Sequence, residues 1–115
     1  MSTIVVRDAL QGIGGAKGYI NVAPPKAQTP YFVVTRVHGE FDMSLAGPTG
    51  GHSGSYQVDF YAQTFTDADR IATLAIDRAT SVQDKFSVGE IDELPDDFQE
   101  DTGLFRISLE FSVEF

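Results

Sequence analysis

The stretch FRISLEFSVEF, Phe105 to Phe115, decides the fold class. Apolar side chains occupy every second position and alternate with charged or small polar ones, which is typical of a β-strand with one buried face. The apolar positions are Phe105, Ile107, Leu109, Phe111, Val113 and Phe115. Full burial of each contributes roughly 1.5–3 kcal/mol, so the set rivals the whole stability of most small domains. We therefore expect the domain to unfold when this strand is removed.

A helix is predicted upstream of this strand. Thr66 is placed to cap the amide of Asp69, and Asp67 lies where a helix N-terminus favours anions. The following apolar residues have the spacing of one narrow helical stripe: Ala68, Ile71, Ala72, Ala75, Ile76 and Ala79. Its alanines allow close approach to a sheet. With residues 86–91 extended, the chain makes a strand, helix, strand passage.

A second two-residue pattern precedes the helix and is unusually long. From Tyr31 to Leu45 apolar residues favour the odd positions, with Phe32, Val34 and Gly39 as exceptions. Such a strand would span on the order of 50 Å, whereas a domain of this size has a radius of gyration near roughly 13 Å. After the turn cluster GPTGGHSG, residues 47–54, the alternation resumes with Tyr56, Val58, Phe60 and Ala62.

These two stretches predict a long β-hairpin whose tip, residues 40–55, projects beyond the core. A bulge near Gly39 followed by a loop is the alternative reading. In both cases Phe41, Met43 and Leu45 have too little of their own core to cover them. We therefore predict that these three side chains form a subunit interface.

The N-terminal region carries weaker signals. Residues 3–11 have helical spacing and predict a short helix or a docking arm, which the glycines after Gln11 end. GIGGAKG, residues 12–18, lacks both the preceding strand of a dinucleotide site and the Gly-Lys-Ser/Thr ending of a P-loop, so we interpret it as a flexible turn. Pro24 and Pro25 favour an extended connector over residues 19–29.

Composition limits the class of protein. The 115 residues have ordinary globular composition and predict a single domain spanning residues 1–115. The absence of cysteine excludes disulfides and thiol chemistry. A net charge of −9 argues against direct nucleic-acid binding. With no long apolar run and no secretory pattern, we expect a soluble chain made in the cytoplasm, with no membrane contact.

No catalytic motif is found. Seven acids crowd one short stretch: Glu90, Asp92, Glu93, Asp96, Asp97, Glu100 and Asp101. Their spacing lacks the glycine and the terminal glutamate of an EF-hand, so a solvated acidic connector is the preferred interpretation over a calcium site, and we expect the seven residues to form an acidic surface. His38 and His52, the only histidines, have no partner motif and are read as surface residues. We expect no enzyme activity, no metal and no cofactor.

Three segments, in this order, resemble the tail-terminator or tail-completion proteins of long-tailed bacteriophages. The first is APPKAQTPYFVVTRVHG, residues 23–39, in which a proline-containing connector leads into an apolar strand. The second is YQVDFYAQTFTDADRIATLAIDRAT, residues 56–80, a strand followed by an alanine-rich helix. The third is DDFQEDTGLFRISLEFSVEF, residues 96–115, in which an acidic aromatic stretch leads into the last strand.

The resemblance implies an α+β domain, an antiparallel-rich β-sheet with helices packed on one face and a long projecting β-hairpin. It further implies a homo-hexameric ring at the head-proximal end of the tail tube, at the head-tail junction of the virion. Its partners would be further copies of itself, the tail tube protein and the head-tail connector or stopper protein. DNA would pass through the lumen without specific binding, since an acidic wall repels phosphate.

Two alternatives remain open. One, from the same structural class, is another neck or tail-tube component, which would repeat in many stacked rings where a terminator forms one. The other is a divalent-cation-binding module or metal-dependent hydrolase built on the stretch from Glu90 to Asp101, for which carboxylate density is the only motive.

The predicted interface can be tested at the tip. Met43→Asp and Leu45→Asp should leave the monomer folded but prevent ring formation or tail joining, because an exposed apolar anchor becomes a charge that must be desolvated. Circular dichroism checks the fold, and electron microscopy of particles checks joining. Normal assembly of both variants would show that the tip is not an interface.

Overall fold

The computed structural model describes residues 2–44, 47–81 and 86–115, and for residues 2, 40–44 and 47–52 the backbone alone. Two α-helices, α1 and α2, span Ser2–Leu10 and Phe65–Thr80, and a 3-10 turn spans Ile13–Gly15. The strands in chain order are β1 Lys17–Ile20, β2 Tyr31–Ser44, β3 Gly47–Ala62, β4 Ser87–Glu93, β5 Asp97–Gln99 and β6 Leu104–Glu114.

These strands form one sheet in the order β1-β2-β3-β6-β4, with β5 also paired to β6. Only the β1–β2 pair is parallel, and the other pairs are antiparallel. Since β3 and β4 are both antiparallel to β6, helix α2 connects two strands of the same direction. The α+β class with an antiparallel-rich sheet is confirmed.

Both helices pack on the same face of the sheet. The predicted stripe of α2 is confirmed, because Ala68, Ile71, Ala72, Ala75 and Ala79 are buried and Ile76 is partly buried. From α1, Val6 and Leu10 join the same core. Opposite them lie the inward side chains of β2, β3 and β6, among them Phe32, Tyr56, Phe60 and Phe111. Alanine at the contact positions lets α2 approach the strands closely.

The pattern of β6 is confirmed. Ile107, Leu109, Phe111 and Val113 are buried, and Phe105 and Phe115 pack partly buried against the core. The strand pairs with β3 along one side and with β4 and β5 along the other, so it lies inside the sheet. Its loss would remove both the pairing and the core contacts of four elements.

The predicted face of β2 is wrong at its start. Phe32 and Val34 are fully buried against the helices, whereas Val37, one of the predicted apolar positions, is 54% exposed. The register explains this, because Phe32 pairs with Phe60 and Val34 with Val58, both core residues of β3. Residues 31–34 are apolar on both faces, so their own alternation could not select the inner one.

The long hairpin is confirmed as paired backbone. Strands β2 and β3 pair from Tyr31↔Tyr61 out to Ser44↔Gly47, with a register shift between Arg36 and His38 and another between Phe41 and Met43. Of the alternative, the bulge near Gly39 is therefore confirmed, whereas the loop after it is not, since residues 40–44 are paired strand. Strand β6 meets β3 no farther out than Ser53. Within the described part of the chain, residues 40–52 thus pair only across the hairpin, and the longest dimension is 52 Å against 26 and 22 Å.

The N-terminal helix is confirmed, but strand β1 was missed. The segment GIGGAKG is not a free turn, because Ile13 and Ala16 are buried and Lys17 already begins β1. Gly18 lies against the Phe32 ring, with no room for a Cβ. Its amide donates to the Gln11 side-chain oxygen at 2.5 Å. A strand of four residues that includes a glycine is too short to show the alternation of apolar and polar residues from which a strand is predicted.

Helix α2 begins one residue before the predicted cap. Thr64 is the N-cap, in extended conformation, and its hydroxyl accepts a hydrogen bond from the Asp67 amide at 3.1 Å. Thr64 and Thr66 each have an aspartate three residues on, so spacing alone does not choose between them. Phe65, the first residue of the helix, packs its ring edge-on against the Phe105 ring, with centroids 6.3 Å apart.

The two threonines form a matched pair for a test of this cap. Thr64→Ala should lower the free energy of unfolding by about 1 kcal/mol, because the Asp67 amide loses its acceptor. Thr66→Ala, at an exposed position inside the first turn, should change it by less than about 0.5 kcal/mol. Urea unfolding measures both. A larger cost at Thr66 would contradict the observed helix start.

The inner strand predicts a second stability effect. Leu109→Ala should cost about 2–5 kcal/mol in urea unfolding, because the buried side chain leaves a cavity. Leu109→Asp should prevent folding, since it puts an unpaired charge in the core. Glu114→Gln, at an exposed position of the same strand, is the control. A folded, soluble Leu109→Asp protein would contradict the core assignment.

Candidate functional site

Two of the three predicted interface residues, Phe41 and Met43, lie in the outer part of the hairpin. Phe41 and Met43 belong to the part of β2 for which only the backbone is described, and Leu45 lies outside the described residues. The backbone register places Phe41 opposite His52 and Met43 opposite Pro48. The role of these three side chains as a subunit interface stays a prediction.

The acidic residues of the predicted surface, Glu90, Asp92, Glu93, Asp96, Asp97, Glu100 and Asp101, are all exposed. They lie on β4, on β5 and in the segments beside β5, at one edge of the sheet. This region is paired strand for most of its length, which corrects its interpretation as a connector. The Asp97 carboxylate lies 3.7 Å from the Arg106 guanidinium. Among the described side chains, no group of three or more is arranged to hold a metal ion.

The histidines are not brought together as a described site. His38 is exposed on β2, beside the register shift, and the side chain of His52 is outside the described set. The two belong to opposite strands of the hairpin.

A groove that the sequence did not predict lies between α2 and the segment joining β4 to β5. It has a volume of about 530 Å³. Apolar residues line it, among them Phe65, Ile76 and Leu94, and so do three acidic residues: Asp69, Glu93 and Asp96. The Leu94 amide donates to the Ser108 carbonyl at 3.0 Å, which fixes the joining segment to β6. We call this feature the acid-rimmed groove.

The groove was missed because its parts are distant in sequence. Phe65 and Asp69 come from the first turns of α2, and Glu93 to Asp96 come from the end of β4 and the segment after it. Neither segment carries a motif on its own. A useful signal was the apolar pair Leu94 and Pro95 inside an otherwise acidic stretch, because apolar residues among exposed acids need a packing partner.

The sheet face opposite the helices carries a row of tyrosines across three strands. The Tyr31 and Tyr61 rings stack with centroids 4.8 Å apart, and the Tyr19 ring meets Tyr31 edge-on at 6.0 Å. Burial raises the pKa of Tyr31 and of Tyr61, and the Asp59 carboxylate raises the pKa of Tyr61 further. The Arg106 guanidinium opposes this shift at Tyr61.

A hydrogen-bonded set lies beside the tyrosines on this face. The Asp59 carboxylate accepts from the Ser108 hydroxyl at 2.6 Å and from the Gln57 amide group at 2.9 Å. Ser108 is 2% exposed and is the one polar residue among the described buried ones. Because aromatic stacking and hydrogen bonds satisfy this face internally, it is less suited than the groove to hold an apolar side chain of another molecule.

Comparison with known proteins adds a likeness of fold. No protein-family model matches the chain, and no curated protein matches it. Among solved structures, a chain from a structure described as the virion of a native gene transfer agent particle is similar, with a TM-score of 0.52 and 17% sequence identity. The match covers 91% of this chain and 82% of that one. At this identity the likeness shows the fold alone. Neither described helix is long and apolar enough to cross a membrane.

The tyrosine row predicts a loss of stability at high pH. Because the pKa of Tyr31 and of Tyr61 lies above the ordinary value of 10.0 in the folded chain, the neutral forms contribute stability below about pH 10. That contribution is lost as the pH rises through the folded values. Tyr31→Phe/Tyr61→Phe should therefore lose less unfolding free energy than the parent between neutral pH and about pH 11. An equal loss in both proteins would contradict the assignment.

Proposed function

We propose that this chain is a structural protein of a phage-like virion that forms a ring at the head-proximal end of the tail tube. In this role it ends tube polymerisation and presents a surface for the head connector or stopper. The ring is built from six copies of the chain. The protein acts as a building block, so it is not an enzyme and uses no cofactor.

The observation that carries the proposal is the β2–β3 hairpin. Among the described residues, its outer part pairs only with itself, as a two-stranded arm beyond the point where β6 ends. An isolated two-stranded ribbon is marginal in water, so a partner that covers it is expected. A ring of identical subunits provides such a partner, because each arm can reach the next copy or the tube.

Two further features support a virion role. The chain shares its fold with a chain from the virion of a gene transfer agent particle. The net charge of −9 and the exposed acids of β4 and β5 suit a wall along which DNA must slide, because like charges keep phosphate from adhering. The proposed location is the head-tail junction of the virion, after assembly in the host cytoplasm.

A second candidate from the same class is a neck or tail-tube component, since the hairpin would serve stacked rings equally well. Copy number separates the two. A terminator is present as one ring per particle, whereas a tube protein is present in many. The divalent-cation alternative gains nothing from the described side chains, and calorimetry with calcium, magnesium and manganese tests it directly.

The proposal is tested with particles assembled without this protein. Electron microscopy should show overlong tails or heads without tails, because nothing stops the tube or joins it to the head. Mass measurement of complete particles should find six copies. Tails of normal length joined to heads would contradict the proposal, and many copies per particle would favour the tube component.

A further inference from the structure

We propose that the acid-rimmed groove of one copy receives the opposite, lysine-bearing edge of the next copy, and that this contact closes the ring. The inference deepens the proposed function and depends on it. It commits to a second copy of this chain as the occupant of the groove. The argument uses the groove, the far edge of the sheet and the position of the two in the strand order.

The groove is built to hold an apolar group beside a cation. Its lining includes apolar residues, and one of them, Phe65, is 46% exposed. Asp69, Glu93 and Asp96 are exposed lining residues, and none of them forms an ion pair within the described part of the chain. Three carboxylates without an ion pair among the described residues, in a groove also lined by apolar residues, attract a surface that combines apolar and positive side chains.

The edge formed by β1 and the segment after it has that combination. Lys17 and Lys26 line a shallow depression of about 370 Å³ together with Tyr19, Pro24 and Pro30. The Lys17 ammonium lies 5.5 Å from the centre of the Tyr19 ring. Neither lysine forms an ion pair among the described residues. In a chain with net charge −9, two lysines without an ion pair among the described residues, beside Tyr19 and two prolines, form a surface suited to an acidic partner. We call this surface the basic edge.

The strand order keeps the two surfaces apart within one copy. Strand β1 is at one edge of the sheet, and β4 and β5 are at the other, beside β6. Four strand spacings separate them, on the order of 19 Å. The groove therefore cannot be filled by its own basic edge. Contact between unlike surfaces on opposite edges is heterologous, and repetition of such a contact gives a closed ring when the rotation from copy to copy closes and an open filament when it does not.

The test reverses each surface separately. Lys17→Glu/Lys26→Glu reverses the basic edge, and Glu93→Lys/Asp96→Lys reverses the rim of the groove. Each variant should form rings at least about tenfold more weakly than the parent, because like charges now face each other. Native mass spectrometry of the purified chain measures the fraction of chains in rings. If rings form only on tails, the number of copies bound to each purified tail is measured instead. Circular dichroism checks that each variant is folded.

Mixing the two variants gives the decisive result. The edge of the first then matches the groove of the second, and the edge of the second matches the groove of the first. An equimolar mixture should therefore restore rings in which the two variants alternate, as an even-numbered ring permits. The chain carrying all four substitutions should also form rings alone. Glu100→Lys/Asp101→Lys is the control, because it changes net charge by the same amount outside the groove and should assemble like the parent.

The outcomes separate this contact from the ring itself. If the parent forms rings and the two reversed variants form them equally well, the contact is wrong and the proposed function stands. If the reversed variants are weakened but the mixture does not recover, the two surfaces do not meet, and the contact is again wrong. If the parent forms no ring alone or on tails, the proposed function fails and this contact fails with it.

Discussion

Helix α2 lies against β3 and β6 through a row of alanines, and the rest of the fold depends on this contact. Because these side chains are small, the helix approaches the sheet closely, and the large rings of β2, β3 and β6 fill the core beside it. The helix covers one face only. The molecule must therefore satisfy the other face by different means, and it leaves the edges available for contacts with other molecules.

Sequence patterns predicted the elements whose burial is one-sided. Strand β6 and helix α2 each have one apolar face, so their periods indicated both the element and its inner side. Strand β2 failed this test, because Phe32 and Val33 are buried on opposite faces and the partner residue Phe60 decides which face meets the helices. Strand β1 is short and contains Gly18, where the absence of a side chain leaves room for the Phe32 ring. Hydrophobic periodicity along the chain does not reveal such a contact.

The same distinction separates the parts of the candidate site that the sequence predicted from those that it did not. The hairpin followed from alternation, and its pairing is observed, whereas the interface at its tip rests on the sequence. The acid-rimmed groove is made by Phe65 and Leu94, which are distant in sequence and meet only after the helix has packed and β4 has paired. The hydrophobic pattern of a segment predicts which of its own residues are buried. It therefore does not predict a surface that several segments form together. The likeness to a virion chain shows the fold alone.

The arrangement of the tyrosines also makes the intrinsic fluorescence of the chain a probe of association. The sequence has no tryptophan and four tyrosines, so ultraviolet emission comes from tyrosine alone. Tyr56 is sealed in the core, while Tyr19, Tyr31 and Tyr61 share one solvent-side row. Because Tyr19 also lines the basic edge, emission from this row would respond both to a molecule on the sheet face and to one at that edge. Fluorescence thus reports association at either surface without any label.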